Sequence, residues 1–445
     1  MKRIALIARV VSGGRNGFAH VASALESSND LKSIARLVII EEDPLQLAST
    51  FERRGFKPVV LYGLSTPLFL DYMDELARVA LRYPVVVGGP HAAGAYWHVL
   101  QLGADAAVIG DGEPAIQGLV EYFAGLRDIR DVPNIAYKEG SRFKTTRVEL
   151  IDLDDYKPYS SNYGLYPPIE IMRGCMYKCT FCQVPWMFKS QVRFRGIDSV
   201  REAVRAYVSV GRRDIRFIAP IGFAYMSRDL RSPNVDAIKT LLESVVIEGG
   251  RPYLGTFPSE TRPELVTKDV LQVLKSYAAN KRVALGLQSG SDLLLERIRR
   301  GHYVEDVFKA VELIHSMGFK AIVDFIMGLP GEDEDDVRAS IDAMMKLASM
   351  GAKLRLHTFL PLPGTPLARS KPKPIHPLYL KAILKLMGKG VLEGYWREQE
   401  LLARKIYCLI SYYPAPTPRP IPLQEAKDTC IGEWKRFDSL MNGRL

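Results

Sequence analysis

Arg173-Gly174-Cys175-Met176-Tyr177-Lys178-Cys179-Thr180-Phe181-Cys182 is the most informative stretch of this 445-residue chain. It holds three of the five cysteines at C-x3-C-x2-C spacing, directly after a segment with strand character at 169–173. Three thiolates this close can serve one metal centre, and soft sulfur favours zinc or an iron–sulfur cluster. A structural zinc site takes four ligands. No fourth Cys or His lies nearby, and the next histidine is His302. Three thiolates on a four-iron cube instead leave one iron open for a substrate. The competing reading is three buried thiols or an incomplete zinc knuckle.

Downstream of this loop, strand patterns recur at 215–219, 252–257, 283–287, 321–326 and 353–359. Helical patterns sit between them, for example at 199–208, 235–248 and 263–277. Such a series builds an open sheet or a barrel, and in a barrel the chemistry lies on the loops after the strands. Upstream, apolar runs at 3–10, 37–40, 58–62, 84–87 and 105–109 alternate with helical patterns at 18–26, 44–54, 67–81, 96–102 and 114–126. Continuous apolar strands predict a parallel sheet covered on both faces. Sheets of that kind bind ligands beyond the carboxyl ends of their strands. The expected organisation is α/β throughout. A doubly wound domain spans 1–126, a hairpin and linker 127–168, a (β/α) region 169–366 and a basic helical region 367–445. Within the last, Pro414-Ala415-Pro416-Thr417-Pro418-Arg419-Pro420 reads as a stiff extended stretch.

Hydrophobic residues are 47% and charged residues 25%, which excludes a disordered chain, a collagen and a disulfide-stapled mini-protein. Sixty Lys+Arg against 50 Asp+Glu is a mild basic bias. Residues 366–445 hold 14 Lys+Arg and 7 Asp+Glu, so about +7 of it falls there. A solvated charged face is the preferred reading, and nucleic acid is an unfavoured partner. Cys408 and Cys430 lack a partner at metal spacing and read as packed free thiols, in keeping with a reducing cytosol. The longest stretch without Lys, Arg, Asp or Glu is 83–104, and its prolines and glycines argue against a membrane span. Arg9 cuts the first apolar run too short for a signal peptide, so a cytoplasmic location is expected.

Cys175, Cys179 and Cys182, with Phe181 before the third, resemble the signature of radical S-adenosylmethionine (SAM) enzymes. The likeness continues in order through Gly286-Leu287-Gln288-Ser289-Gly290-Ser291-Asp292, Arg300-Gly301-His302, Met327-Gly328-Leu329-Pro330-Gly331-Glu332 and Pro361-Leu362-Pro363-Gly364-Thr365-Pro366. The resemblance implies a partial (β/α)6 barrel. It also implies a 4Fe-4S cluster on the three cysteines, with SAM at the open iron and a 5′-deoxyadenosyl radical after one-electron reduction. By position, Gln288, Ser289 and Arg300 would face the ribose and carboxylate of SAM, and Gly328 and Leu329 its adenine. The Gly-Gly-Glu-like turn of the superfamily is replaced here by Ala219-Pro220-Ile221-Gly222-Phe223-Ala224-Tyr225. Gly222 supplies part of that turn, and Glu260, beyond the third barrel strand, is a second candidate for the same cavity. No general base stands out; Tyr225, Glu260 and Asp324 are the candidates.

In the N-terminal domain, Gly63-Leu64-Ser65-Thr66-Pro67, Gly88-Gly89-Pro90-His91 and Gly110-Asp111-Gly112-Glu113 follow the third, fourth and fifth strand patterns. Their order before the cysteine motif resembles the cobalamin-binding domain that precedes many radical SAM cores. Candidate cobalamin contacts are Ser65, Thr66, Gly88, Gly89, His91, Gly110, Gly112 and Glu113. The D-x-H-x-x-G signature is absent, so any cobalamin is expected to bind without a histidine on cobalt. His20 and His91 read equally well as packed histidines. The leading expectation is cobalamin-dependent methyl transfer to an unactivated carbon of a small-molecule, lipid or peptide substrate, fed by a donor such as ferredoxin or flavodoxin. The alternatives are another radical C–C or C–S bond-forming or cyclising enzyme with a cobalamin-free N-terminal domain, and a non-catalytic cobalamin or iron–sulfur sensor. Residues 1–174 contain no Cys, which counts against the second cluster of a methylthiotransferase.

Overall fold

The computed structural model describes residues 3–11, 14–413 and Cys430. The chain divides into two compact units: residues 1–167 with 362–369 and 405–445, and residues 168–361 with 370–404.

The first unit is built on β1 (Arg3–Arg9), β2 (Ala35–Ile40), β3 (Phe56–Gly63), β4 (Val85–Gly88), β5 (Ala106–Val108), β6 (Ile135–Glu139) and β7 (Arg142–Thr145). They form one sheet in the order β2-β1-β3-β4-β5-β6-β7. The first five strands are parallel, and β6 and β7 add as an antiparallel hairpin at the edge. The period of two divides β1 between two cores. Ile4, Leu6 and Ala8 pack on one face, and Ala5 and Ile7 on the other. That two-sided burial is why these strands read as unbroken apolar runs. The hairpin at 134–146 was expected as a break in the rhythm; it extends the same sheet instead, because Ala106–Val108 offers an open edge to Ile135–Tyr137.

The second unit contains β8 (Ile169–Glu170), β9 (Met172–Arg173), β10 (Arg193–Phe194), β11 (Asp214–Ile218), β12 (Arg251–Tyr253), β13 (Arg282–Gln288), β14 (Lys320–Met327), β15 (Lys353–Thr358) and β16 (Leu392–Glu393). Parallel pairing runs β8–β11–β12 and β13–β14–β15–β16. A bridge between Thr261 and Leu285 joins the two sets. The main parallel strands therefore neighbour one another in chain order, which is the arc of a partial (β/α) barrel. Apolar residues in or next to these strands, such as Phe217, Leu254, Leu285, Val323 and Leu356, are wholly buried.

Two expectations for residues 367–445 are corrected. The region is not purely helical, because Leu392–Glu393 pairs with Leu354–Arg355 as β16. Cys408 and Cys430 are not free thiols but a disulfide, with Cα atoms 5.8 Å apart. A spacing of 22 residues carries no sign of pairing by itself. The proline-rich 414–420 stretch lies outside the described residues.

Candidate functional site

The cysteine loop leaves the barrel at Gly174. This residue has φ +86°, and a Cβ would lie 1.8 Å from the Gln191 carbonyl oxygen, so only glycine fits. The loop is pinned by Thr180 N–H donating to Ile298 O at 3.0 Å and by Tyr177 O–H donating to Leu230 O at 3.0 Å. Cys175 and Cys179 are buried and Cys182 half-buried. Burial pushes the Cys175 thiol up, and pushes Cys182 to about 11. The bare Cys175 and Cys182 thiols therefore hold their protons, which metal would displace.

Gln288 ends β13 at a register shift between Gly286 and Gln288, and it holds φ +82°. A non-glycine residue there is strained, and strain of this kind clusters at functional sites. The twist brings its side chain over Gly286. A Cβ at Gly286 would lie 2.4 Å from Gln288 Nε2 and 2.7 Å from Arg300 Nη2. Arg300 donates from Nη2 to Gly286 O at 2.8 Å and from Nη1 to Cys179 Sγ at 3.7 Å. Thus Cys179, Gly286, Gln288 and Arg300 converge. Ser289 does not join them. Its hydroxyl contacts Ser340 Oγ at 3.1 Å and accepts from Ser291 N–H at 3.1 Å, which ties the loop to the helix Glu334–Ser349.

A buried group packs against the cysteine loop, and its Arg262 belongs to no motif. Arg262 stacks 3.6 Å over the Tyr177 ring, donates to Arg300 O at 2.7 Å and pairs with Glu264 at 2.5 Å. His302 stands beside it, and burial with two neighbouring arginines pushes its pKa to about 2. Only burial reveals Arg262; nothing in its sequence neighbourhood does.

The remaining barrel candidates are placed as follows. Gly222 N–H donates to Glu260 O at 2.7 Å, so the loops after β11 and β12 meet. Glu260 Oε1 accepts from Arg355 at 3.0 Å. Arg355 also pairs with Asp324 at 3.4 Å and Glu393 at 3.1 Å. Burial raises the Asp324 pKa to about 7 despite Arg355. Tyr225 is fully buried and donates to Arg195 O at 2.6 Å, a packing role rather than that of a base. Gly328 N–H donates to Glu332 Oε2 at 2.9 Å, and Leu329 is fully buried. Tyr379 O–H and Lys373 hold Glu332 in turn, so the loop is rigid where backbone would meet a ligand.

At the carboxyl edge of the first sheet the outcome differs. Thr66, His91 and His98 form a buried line, with Thr66 Oγ1 3.3 Å from His91 Nδ1 and His91 Nε2 3.3 Å from His98 Nδ1. His98 Nε2 lies 2.8 Å from Tyr413 O. A carbonyl only accepts, so His98 Nε2–H donates to it. His98 Nδ1 then accepts from His91 Nε2–H, and His91 Nδ1 accepts from Thr66. Burial holds both pKa values down, His98 at about 4. His91 also stacks on Phe69 at 3.8 Å. Glu113 contacts His20 Nδ1 at 3.2 Å. These side chains thus turn into the core. Ser65 makes no cap bond at the start of the helix Thr66–Ala80. Gly88 and Gly110 end or follow strands, and Gly112 has nothing within 4 Å of a Cβ position. Gly89 has φ +95° and a Cβ there would meet Leu64 O at 2.7 Å.

The Radical SAM superfamily matches residues 169–344, and the B12 binding domain matches residues 12–120. Residues 169–344 thus carry a radical SAM domain, and residues 12–120 a B12-binding domain. A protein of Methanocaldococcus jannaschii named as a methylthiotransferase is 30% identical over 244 residues, 53% of this chain and 51% of its own length. A protein of Pyrococcus horikoshii named as a methyltransferase is 24% identical over 385 residues, 81% of this chain and 79% of its own. The chain spans about half to two thirds of the length of the first curated relatives it matches. The radical SAM methyltransferase TsrM from Kitasatospora setae, solved with cobalamin and a 4Fe-4S cluster, shares the fold. Its TM-score is 0.64 at 17% identity, over 83% of this chain and 78% of that one.

A radical SAM domain implies a 4Fe-4S cluster and SAM, and a B12-binding domain implies cobalamin. Among the described residues no three His, Cys, Asp or Glu side chains close on a single ion. A cube asks for something else, since each thiolate takes a different iron. Three cysteines in one pinned loop, two of them buried, with a guanidinium on one sulfur, fit that demand. At the carboxyl edge of the first sheet, the Cβ direction of Gly112 is open, that of Gly88 meets ordinary packing at 3.8 Å, and that of Gly110 is filled by Asn134 at 3.0 Å. No helix of the described residues is long and apolar enough to cross a membrane.

Proposed function

We propose that this radical SAM protein transfers a methyl group to an unactivated carbon of a small-molecule, lipid or peptide substrate. The observation that carries the reading is the pairing, in one chain, of the Cys179–Arg300–Gln288 constellation with a B12-binding domain. Residues 1–174 hold no Cys, so this chain has no ligands there for a second cluster, although some relatives are named as methylthiotransferases. When bound, the cluster supplies the electron that cleaves SAM and cobalamin carries the methyl group.

The chain's own residues do the rest. Cys175, Cys179 and Cys182 would hold the cluster. Gln288, on its strained backbone and beside Arg300 over Gly286, would hydrogen-bond SAM. The Gly328–Leu329 backbone, fixed by Glu332, offers a rigid wall. Burial around Cys175 and Cys179 excludes water from a reactive radical. An external low-potential donor, such as ferredoxin or flavodoxin, supplies electrons.

Anaerobic reconstitution with iron, sulfide, cobalamin and methyl-deuterated SAM tests this. The chain is supplied with a fractionated metabolite and peptide pool. Label in a product together with 5′-deoxyadenosine is the expected result. Neither label transfer nor 5′-deoxyadenosine, in a fully loaded protein, overturns the reading.

A further inference from the structure

Arg300 was expected to face the ribose and carboxylate of SAM, and two of its nitrogens are already committed inside the protein. Nη1 donates to Cys179 Sγ at 3.7 Å and Nη2 to Gly286 O at 2.8 Å. Its Nε is buried without a hydrogen-bond partner. The carbonyl of Arg300 is itself held by Arg262, whose guanidinium lies against Tyr177 inside the cysteine loop. The fork is therefore locked at both ends, with its charge on a ligand sulfur. Gly286 makes room for it, since a side chain there would press on Arg300 Nη2.

A guanidinium stays protonated in proteins. Reduction of a cluster adds one electron from an external donor and no proton, so the reduced form carries one more negative charge. A fixed positive charge and a hydrogen bond to a ligand sulfur favour that form. We infer that Arg300 is a positioning residue for the cluster, which raises its reduction potential through the contact with Cys179. The inference rests on the cluster and not on methyl transfer.

The test is EPR-monitored redox titration of the reconstituted, SAM-free protein, with iron and sulfide measured in each sample. Arg300→Met should shift the reduction equilibrium about tenfold toward the oxidised form, equal to about 59 mV for one electron. Arg300→Lys, which keeps charge but not the fork, should shift it less. Gly286→Ala displaces the fork without removing any charge, and should shift it in the same direction by less than Arg300→Met. It meets only the ends of two flexible side chains, so it keeps the fold if Arg300→Met does not. Loaded variants with unshifted potentials overturn this inference alone. A wild-type chain that takes up no iron overturns the cluster assignment beneath it.

Discussion

Both sheets place polar residues just past the carboxyl ends of parallel strands, and the two sets meet different partners. In the barrel, Gln288 and Arg300 converge over Gly286, and Arg300 reaches Cys179. In the N-terminal sheet, Thr66, His91 and Glu113 turn inward, onto His98, Phe69 and His20. The barrel loop is forced by a register shift at Gly286–Gln288, while the N-terminal loops start regular helices whose side chains pack. Position after a strand therefore marks where a ligand can approach. Backbone geometry decides whether a side chain meets it.

The sharpest test of that contrast is the cysteine loop. Replacing Cys175, Cys179 or Cys182 by Ala should reduce iron from about four per chain to background. It should also abolish 5′-deoxyadenosine formation, read by iron analysis and chromatography. His91→Gln should leave iron content unchanged.

The next effect lies in the first unit. The Cys408–Cys430 disulfide closes a 22-residue separation near Leu409 and Tyr413, which pack in the first core. Cys408→Ser should destabilise that unit by about 3 kcal/mol, measured by denaturant unfolding with and without reductant.

A comparable effect follows from pH. His98 is neutral when folded, with its pKa depressed to about 4, against about 6.5 unfolded. Below pH 6.5 the unfolded chain binds a proton that the folded one refuses. Stability is thus full above pH 6.5 and falls progressively toward pH 4, by about 3 kcal/mol. His98→Gln should flatten that part of the pH profile in unfolding experiments. A profile unchanged by the substitution would break the inward reading of this histidine.

The smallest pair divides neighbours. Gln288→Ala should weaken SAM binding about tenfold in calorimetry, the loss of one good hydrogen bond to a charged ligand. Ser289→Ala should change it less than twofold, because that hydroxyl already serves Ser340 and Ser291. Equal effects would merge two residues that the structure separates.

Much of this was legible early. Alternating apolar runs placed the strands of both sheets, because two-sided burial leaves a continuous pattern. The three clustered cysteines and the ordered glycine motifs marked the barrel site. Arg262 was invisible, since a buried arginine has no periodic signature. Glu260 and Asp324 looked like free candidates until Arg355 paired with both.

The sequence by itself marked the cysteine loop and the alternation of strands and helices in both α/β regions, for these rest on local spacing and pattern. Only the tertiary structure decided which polar groups serve a ligand and which serve the core. It turned His91 into the core, Gln288 over Gly286, and Cys408 onto Cys430. The reason is that burial and hydrogen-bond partnership come from residues distant along the chain, and no local pattern encodes them.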